Sequence, residues 1–505
     1  MSASRCGPLL VALLAAGCPR GAPPAGEWTA ARVAEVEEAC GRCHAPPPPA
    51  SLPRERWARV VPTMAAMPGP AGVAPATADE VALAGAYYER FAPEDLEAVA
   101  PAPVEARLRF RVEGFTPRHA AFAARIPGIA HVRFVHLSDP RRLDLLAADM
   151  RSSGLFLLAP WAPAEQRALR HLAKDLGAPA HVVLQDVDLD GRQDLLVASL
   201  GAINPSNERT GRVTLLRQDE RRRFRPRTLL SDAGRASDAR AADLDGDGDR
   251  DVVAAAFGWR GPGALHLLEQ RAGGAFAERV LDERDGFIHV EPVDLDGDGR
   301  LDLVTLLAQE HEQVIAFLNR GALSFEPLVL DRAPHPAWGS SGLEVVDLDQ
   351  DGDLDVLVSN GDTLDDDLLK PYHGVTWLEN LGELRFAARR IGALYGCQRA
   401  TATDLDGDGD LDVVAVAFLP QLDPAVWRER DLDSVVWFER TADGWRKASL
   451  EKHRCYHPTV AAGDYDADGD VDLAVGNAVW VVRDGEASAR ADMVTLFTAE
   501  GAAGD

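Results

Sequence analysis

The chain is short of positive charge. Its 505 residues hold 53 Lys and Arg against 80 Asp and Glu, a formal charge of −27. So acidic a protein lacks the basic face that nucleic acid or an anionic membrane surface requires. Six cysteines are too few for a disulfide scaffold in this length. No apolar run approaches the roughly twenty residues that span a bilayer. Nucleophile triads, phosphate loops and dinucleotide motifs are missing as well. What is present is ordinary for a folded protein, with 46% apolar and 26% charged residues, which excludes disorder along the whole chain. The length suggests about three domains.

Residues 1–18 read as an export signal. Arg5 gives a positive start and Leu9 to Ala16 form a short apolar run. The run ends Leu14-Ala15-Ala16-Gly17-Cys18. This resembles the lipobox of bacterial lipoproteins, with Cys18 as the lipidated residue, although that family usually carries Leu one position closer to the cysteine. The alternative is a secreted protein with an incidental cysteine. Residues 19–27, with three prolines, read as a tether.

Cys40-Gly41-Arg42-Cys43-His44 has the C-x-x-C-H spacing of c-type haem attachment. Two thiols add to the vinyl groups of one porphyrin, and the adjacent His44 reaches the iron. No second cysteine pair follows to complete a zinc site. Trp28 to Ala39 and Arg54 to Met67 read as helices, and Thr77-Ala-Asp-Glu80 is a capping box opening a third through Tyr87, Tyr88 and Phe91. Residues 28–100 thus resemble a minimal cytochrome c. Met64, with Met67 as the alternative, is the expected second iron ligand, and thioether ligation would raise the haem potential.

From about residue 105 the sequence repeats. Six segments follow D-x-D-x-D-G-x-x-D, spaced by 57, 51, 53, 57 and 60 residues. Their acids are Asp186, Asp188, Asp190 and Asp194; Asp243, Asp245, Asp247 and Asp251; Asp294, Asp296, Asp298 and Asp302; Asp347, Asp349, Asp351 and Asp355; Asp404, Asp406, Asp408 and Asp412; and Asp464, Asp466, Asp468 and Asp472. A worn copy upstream has His136, Ser138 and Pro140 in place of the first three acids and retains only Asp144. Alternate carboxylates in a tight turn converge, and so many oxygen donors suit Ca²⁺. Up to six ions are expected, with the last Asp closing each shell. The six windows hold 28 aspartates, about the whole net charge, so mutual repulsion makes the metal structural. An EF-hand would need Glu at position twelve and flanking helices. Position twelve here is Val197, Ala254, Thr305, Val358, Ala415 and Val475, followed or preceded by strand-like runs.

Each unit reads as four short strands in about 55 residues, which is a propeller blade. Six good copies and one worn copy make seven blades across residues 105–500, starting near 129, 180, 236, 287, 341, 397 and 457. The last blade is one strand short, and Ala106 to Val112 is the expected closing strand. The fold class is therefore an all-β seven-bladed propeller after a small all-α domain. The units resemble FG-GAP or VCBS repeats. Together with the haem motif and stretches such as Pro334–Gly342 and Lys370–Asn380, they resemble bacterial haem-c-bearing FG-GAP proteins, a resemblance that carries no assigned reaction.

The acidic loops share one face. The opposite face collects Gln309, Glu310, His311, Glu312, His335, Trp338, Asp362, Asp365, His373 and His457. Five residues before each loop stand His131, His181, Asp238, His289, Gly342, Arg399 and Thr459, a ring on the inner strands. That ring either lines a wet channel or binds a ligand or transition metal. His289, His311 and His373 are the catalytic candidates, with exposed loop histidine as the alternative for the last two. Cys397 and Cys455 are a candidate disulfide.

These readings imply an exported lipoprotein of the cell envelope, in the outer membrane or periplasm, anchored by lipid only. Electron transfer through haem c is the leading function, with a redox partner protein or envelope ligand on the face opposite the acidic loops. The alternatives are a surface-binding or adhesion propeller with ancillary haem, and a periplasmic haem-linked oxidoreductase with its site in the funnel.

Overall fold

The computed structural model describes residues 28–67, 73–117, 126–259, 261–364, 366–480 and 492–500. The export segment with Cys18, and Asp365, lie outside the described residues. The chain divides into two compact units, Met1–Asp95 and Leu96–Asp505. No helix among the described residues is long and apolar enough to cross a membrane.

The first unit has three helices, α1 (Ala30–Cys40), α2 (Arg54–Ala66) and α3 (Ala78–Phe91). Local chemistry sets their starts. The Thr29 hydroxyl accepts from Arg32 N, and Thr77 and Glu80 form the reciprocal capping box. The prolines after the haem-type motif fold back onto the helices. Tyr88 Oη donates to Pro47 O at 2.9 Å and the Trp57 indole N–H to Pro49 O at 3.0 Å. Trp57 stacks on Tyr88 with ring centroids 3.8 Å apart. The buried apolar set is thin: Val36, Leu52, Trp57, Val61, Ala84, Tyr88 and Ala92. Met64 follows Trp57 by two turns yet is 43% exposed.

The second unit is a ring of seven sheets. Their first strands begin at Ile129, Pro179, Ala236, Phe287, Ser340, Cys397 and Thr459 and lie side by side around the centre. The second strand of every blade is buried at each residue, which is why these segments read as unbroken apolar runs. Seven apolar clusters fill the ring, one in each interface between neighbouring blades. The last cluster joins Ile129, Leu145 and Phe156 of the first blade to Val494 and Leu496 of the seventh. Arg109–Phe115 pairs antiparallel with Val494–Glu500 and completes the seventh blade. The closing strand thus lies three residues later than Ala106–Val112. Two features had no sequence signal. Val104–Glu105 adds a parallel fifth strand to the sixth blade, and a short helix, α4 (Pro424–Glu429), buries Trp427 in that blade's connection.

Candidate metal loops and the histidine channel

Each acidic loop joins the first and second strands of its blade, and one hydrogen-bond pattern builds all six. The first Asp accepts from the backbone N–H groups that follow. Asp294 takes Asp298 N at 3.1 Å and Gly299 N at 2.9 Å, and Asp404 takes Asp408 N and Gly409 N, both at 3.1 Å. The fifth-position Asp accepts from the N–H two residues on, as Asp351 does from Asp353 N at 2.9 Å. The sixth-position glycines have φ between 85° and 102°, with open space where a Cβ would stand. Backbone conformation, not crowding, therefore demands glycine there. In the five loops beginning at Asp186, Asp243, Asp294, Asp347 and Asp404, three carboxylates each offer an oxygen within 4.8 Å of the other two. Buried carboxylate oxygens without a partner remain at Asp188, Asp249, Asp406 and Asp410. Oxygen donors that converge and are left unpaired fit a hard cation such as Ca²⁺.

The ninth-position Asp differs from the expectation that it only closes the shell. Both its oxygens already accept backbone N–H groups, one from the loop and one from the third strand or its end. Asp302 takes Leu295 N at 3.1 Å and Asn319 N at 2.7 Å, and Asp472 takes Tyr465 N at 3.1 Å and Ala499 N at 2.8 Å. Asp194, Asp251, Asp355 and Asp412 repeat this. The residue staples loop to sheet. Burial lifts these carboxyls above the usual range, Asp251 and Asp412 to about 6 and Asp472 to about 7. The staple also explains the worn copy. Asp144 is buried and keeps the loop half of the staple, accepting from Ser138 N at 2.5 Å, while its Oδ1 has no hydrogen-bond partner among the described residues.

A second constellation fills the centre. In six blades the first strand carries a bulge just before the residue five positions ahead of the loop, as at Ala236/Asp238 and Phe287/His289. Asp238 is fully buried, 2.9 Å from His181 Nδ1, 3.5 Å from His289 Nδ1 and 3.0 Å from Arg240 Nη1. Arg240 reaches Glu291 at 2.7 Å, Arg399 Nη1 reaches His289 Nε2 at 3.0 Å, and the His131 and His181 rings lie 4.1 Å apart. Burial holds the imidazoles below the usual range, His181 at about 3. Of the expected ring, His131, His181, Asp238, His289 and Arg399 come together. Gly342 gives close approach to Arg399, and Thr459 Oγ1 accepts from Val132 N. Sequence reasoning missed Arg133, Arg240, Glu291 and Glu344. Their signal was the alternation of the strand, which returns to the same face two residues later. With guanidinium groups against His181 and His289, the ring bridges several blades through its own charges instead of presenting an open set of imidazoles.

Three overlapping segments, residues 186–254, 243–305 and 294–358, match the FG-GAP-like repeat. The ring is an FG-GAP-repeat seven-bladed β-propeller. No curated protein matches the chain.

The FG-GAP face opposite the acidic loops scatters the remaining candidates. No hydrogen bond or ion pair among the described residues joins His289, His311 and His373 to one another. His311 is half-buried beside Glu310, at 3.7 Å. His373 is fully buried and neither ring nitrogen has a protein partner, so it is not an exposed loop histidine. Glu312 is buried and accepts from Gly339 N at 3.2 Å and Ser340 N at 3.0 Å, and burial raises it to about 7. It shapes the loop. His457 is buried between Asn477 and Glu451, 2.7 Å from each. His335 packs against Trp338 and Tyr372, themselves stacked at 5.3 Å. Cys397 and Cys455 are free thiols in one apolar cluster, not a disulfide. The Cys455 thiol is instead held by Asp433 O at 3.5 Å and Ser434 Oγ at 3.6 Å.

In the helical unit, Cys40 is the last residue of α1, half-buried, and Cys43 is exposed on the turn that follows. His44 Nδ1 lies 2.9 Å from Ala45 O. An Nδ1–H donated there leaves the Nε2 lone pair free, the tautomer a metal ligand needs. Cys40, Cys43 and His44 thus stand at one helix end and on the turn that follows it.

Proposed function

We propose that the chain is a cell-envelope electron-transfer lipoprotein, in which a haem-c unit works beside a calcium-braced FG-GAP propeller. The observation that carries this reading is the placing of Cys40, Cys43 and His44 at one helix end, with His44 Nδ1 2.9 Å from Ala45 O. Cys40 and Cys43 would hold the porphyrin, His44 would ligate on one side, and Met64, with Met67 as the alternative, on the other. The exposed thioether of Met64 supports that choice. Bound haem supplies one-electron chemistry. The protein's own part is to fix the thiols at a helix end and to orient His44 through Ala45 O. The propeller would carry a redox partner or envelope ligand on the face opposite the acidic loops, and Cys18 would carry the lipid that anchors the chain in the outer membrane or periplasm.

A binding propeller with ancillary haem is the second reading, favoured by the stacked Trp338 and Tyr372 beside His335. An oxidoreductase site in the funnel has less support, since guanidinium groups lie against His181 and His289.

The test is a pyridine haemochrome spectrum and metal analysis of the full chain made in a host that matures c-type haem. One haem per chain, reducible by an envelope donor and lost in Cys40→Ser with Cys43→Ser, is expected. A chain without covalent haem overturns the electron-transfer reading. Ligand binding that persists unchanged in the double variant would favour the binding module.

A further inference from the structure

Two of the six acidic loops differ from the other four. In the loops starting at Asp243, Asp347, Asp404 and Asp464, the seventh position is a fifth acid: Asp249, Asp353, Asp410 and Asp470. In the loops starting at Asp186 and Asp294 it is Arg192 and Arg300. Each of these guanidinium groups folds onto the fifth-position carboxylate, Arg192 on Asp190 and Arg300 on Asp298. Each is fixed from behind by a backbone carbonyl, Gln218 O at 3.0 Å and Asn319 O at 2.7 Å.

A second arginine then arrives from the edge of the same blade. Arg217 pairs with Asp188 and reaches Asp190 at 3.2 Å, and Arg320, held by Glu326 at 2.9 Å, reaches Asp296 at 3.3 Å. The acids these arginines occupy are at the third and fifth positions, which an incoming cation would use. Elsewhere the equivalent edge carries no such reach. Arg271 turns to Glu269 at 2.7 Å, and Arg440 donates to Leu348 O at 2.7 Å. Loop five meets one arginine: Arg107 pairs with the third-position Asp406 and with Glu439, both at 2.6 Å, but among the described residues no guanidinium pairs with its fifth-position Asp408. It keeps five acids, and the Asp406 side chain is 7% exposed with Oδ1 unpartnered.

We infer that the loops at Asp186 and Asp294 are arginine-latched, holding their shape with guanidinium groups and taking calcium only by displacing them, whereas the four loops with a fifth acid are the tight calcium sites. The inference rests on the calcium reading of the loops. A carboxylate paired with a guanidinium has less charge to offer a metal, and the arginine must leave before the ion can bind. The chain would thus keep two braces of its ring when calcium is scarce.

The test counts calcium ions on the full chain by native mass spectrometry across buffered free calcium. The expected result is four ions at low free calcium and further ions only at levels at least about ten-fold higher. Arg192→Gln with Arg217→Gln should move one ion into the tight set, and Arg300→Gln with Arg320→Gln another. All four arginines are partly exposed, and circular dichroism of the variants checks that the sheets persist. Six ions of equal affinity in the native chain, or variants whose tight count stays at four, overturn the latch while leaving the calcium reading intact. A chain that keeps no calcium at any level overturns both.

Discussion

The two units hold themselves together in different ways. The propeller repeats one solution seven times: a wholly buried second strand, an apolar cluster in each blade interface, and a ring closed by Arg109–Phe115. Its acidic edge, by contrast, carries oxygens with no partner at Asp188, Asp249, Asp406 and Asp410. The helical unit has side-chain caps at the starts of α1 and α3 but not of α2, and few buried side chains, with Met64 43% and Phe91 45% exposed. One unit has a large repeated core and a crowded acidic face. The other has two capped helix starts and a small core. The lesson is that repetition spreads the packing over seven like interfaces, whereas three short helices share one small core.

The sharpest way to separate the units is to remove both thiols of the motif. Cys40→Ser with Cys43→Ser should abolish covalent haem absorbance entirely and lower the thermal transition of the helical unit. The propeller transition in the same calorimetric scan should stay where it was. A propeller transition that fell with it would mean that the two units are energetically one.

Within the propeller, Asp238→Ala should rank next. It leaves Arg240 and two imidazoles without their shared buried carboxylate, at a cost of about 3 to 5 kcal/mol in denaturant titration. A cost under about 1 kcal/mol would show that the channel charges are solvated and independent.

Asp144→Ala asks whether the staple works without metal. It strands Ser138 N and should cost about 1 to 3 kcal/mol. Because no acid triad stands in that loop, the loss should be the same with and without calcium. A loss that appears only with calcium would mean that the worn blade binds metal after all.

The sequence made the acidic loops legible because each Asp–Gly turn is punctuation that strands cannot absorb, and the period of the loops counted the blades. The channel was half legible. His131, His181, Asp238, His289 and Arg399 share one distance from their loops, but the bulge before them and the strand alternation after them were needed to bring in Arg240 and Glu291. The double role of the ninth Asp was hidden, since a staple and a ligand are the same residue type at the same spacing. His373 was misread because a histidine beside Tyr372 in a long connection looks like surface, while α4 and Val104–Glu105 are too short for any periodicity.

The smallest effect is on pH. His131, His181 and His289 are held below their ordinary 6.5 by burial. The unfolded chain therefore binds more protons than the folded one below about pH 6.5, and stability falls as pH falls through that value. Glu312, raised from 4.5 to about 7, acts in the opposite direction, since its contribution is lost as pH rises toward 7. Asp251 and Asp412, at about 6, and Asp472, at about 7, act with Glu312, so the decline due to the histidines is read as the difference between native and variant urea melts at fixed calcium. His289→Gln should flatten the decline, and an unchanged slope would remove His289 from the network.

The most direct test of a calcium-braced ring is calorimetry of the full chain before and after EGTA. The account predicts that the propeller transition drops by roughly 10 °C or more and returns when calcium is restored. A transition that stays in place after the ions are stripped would contradict it.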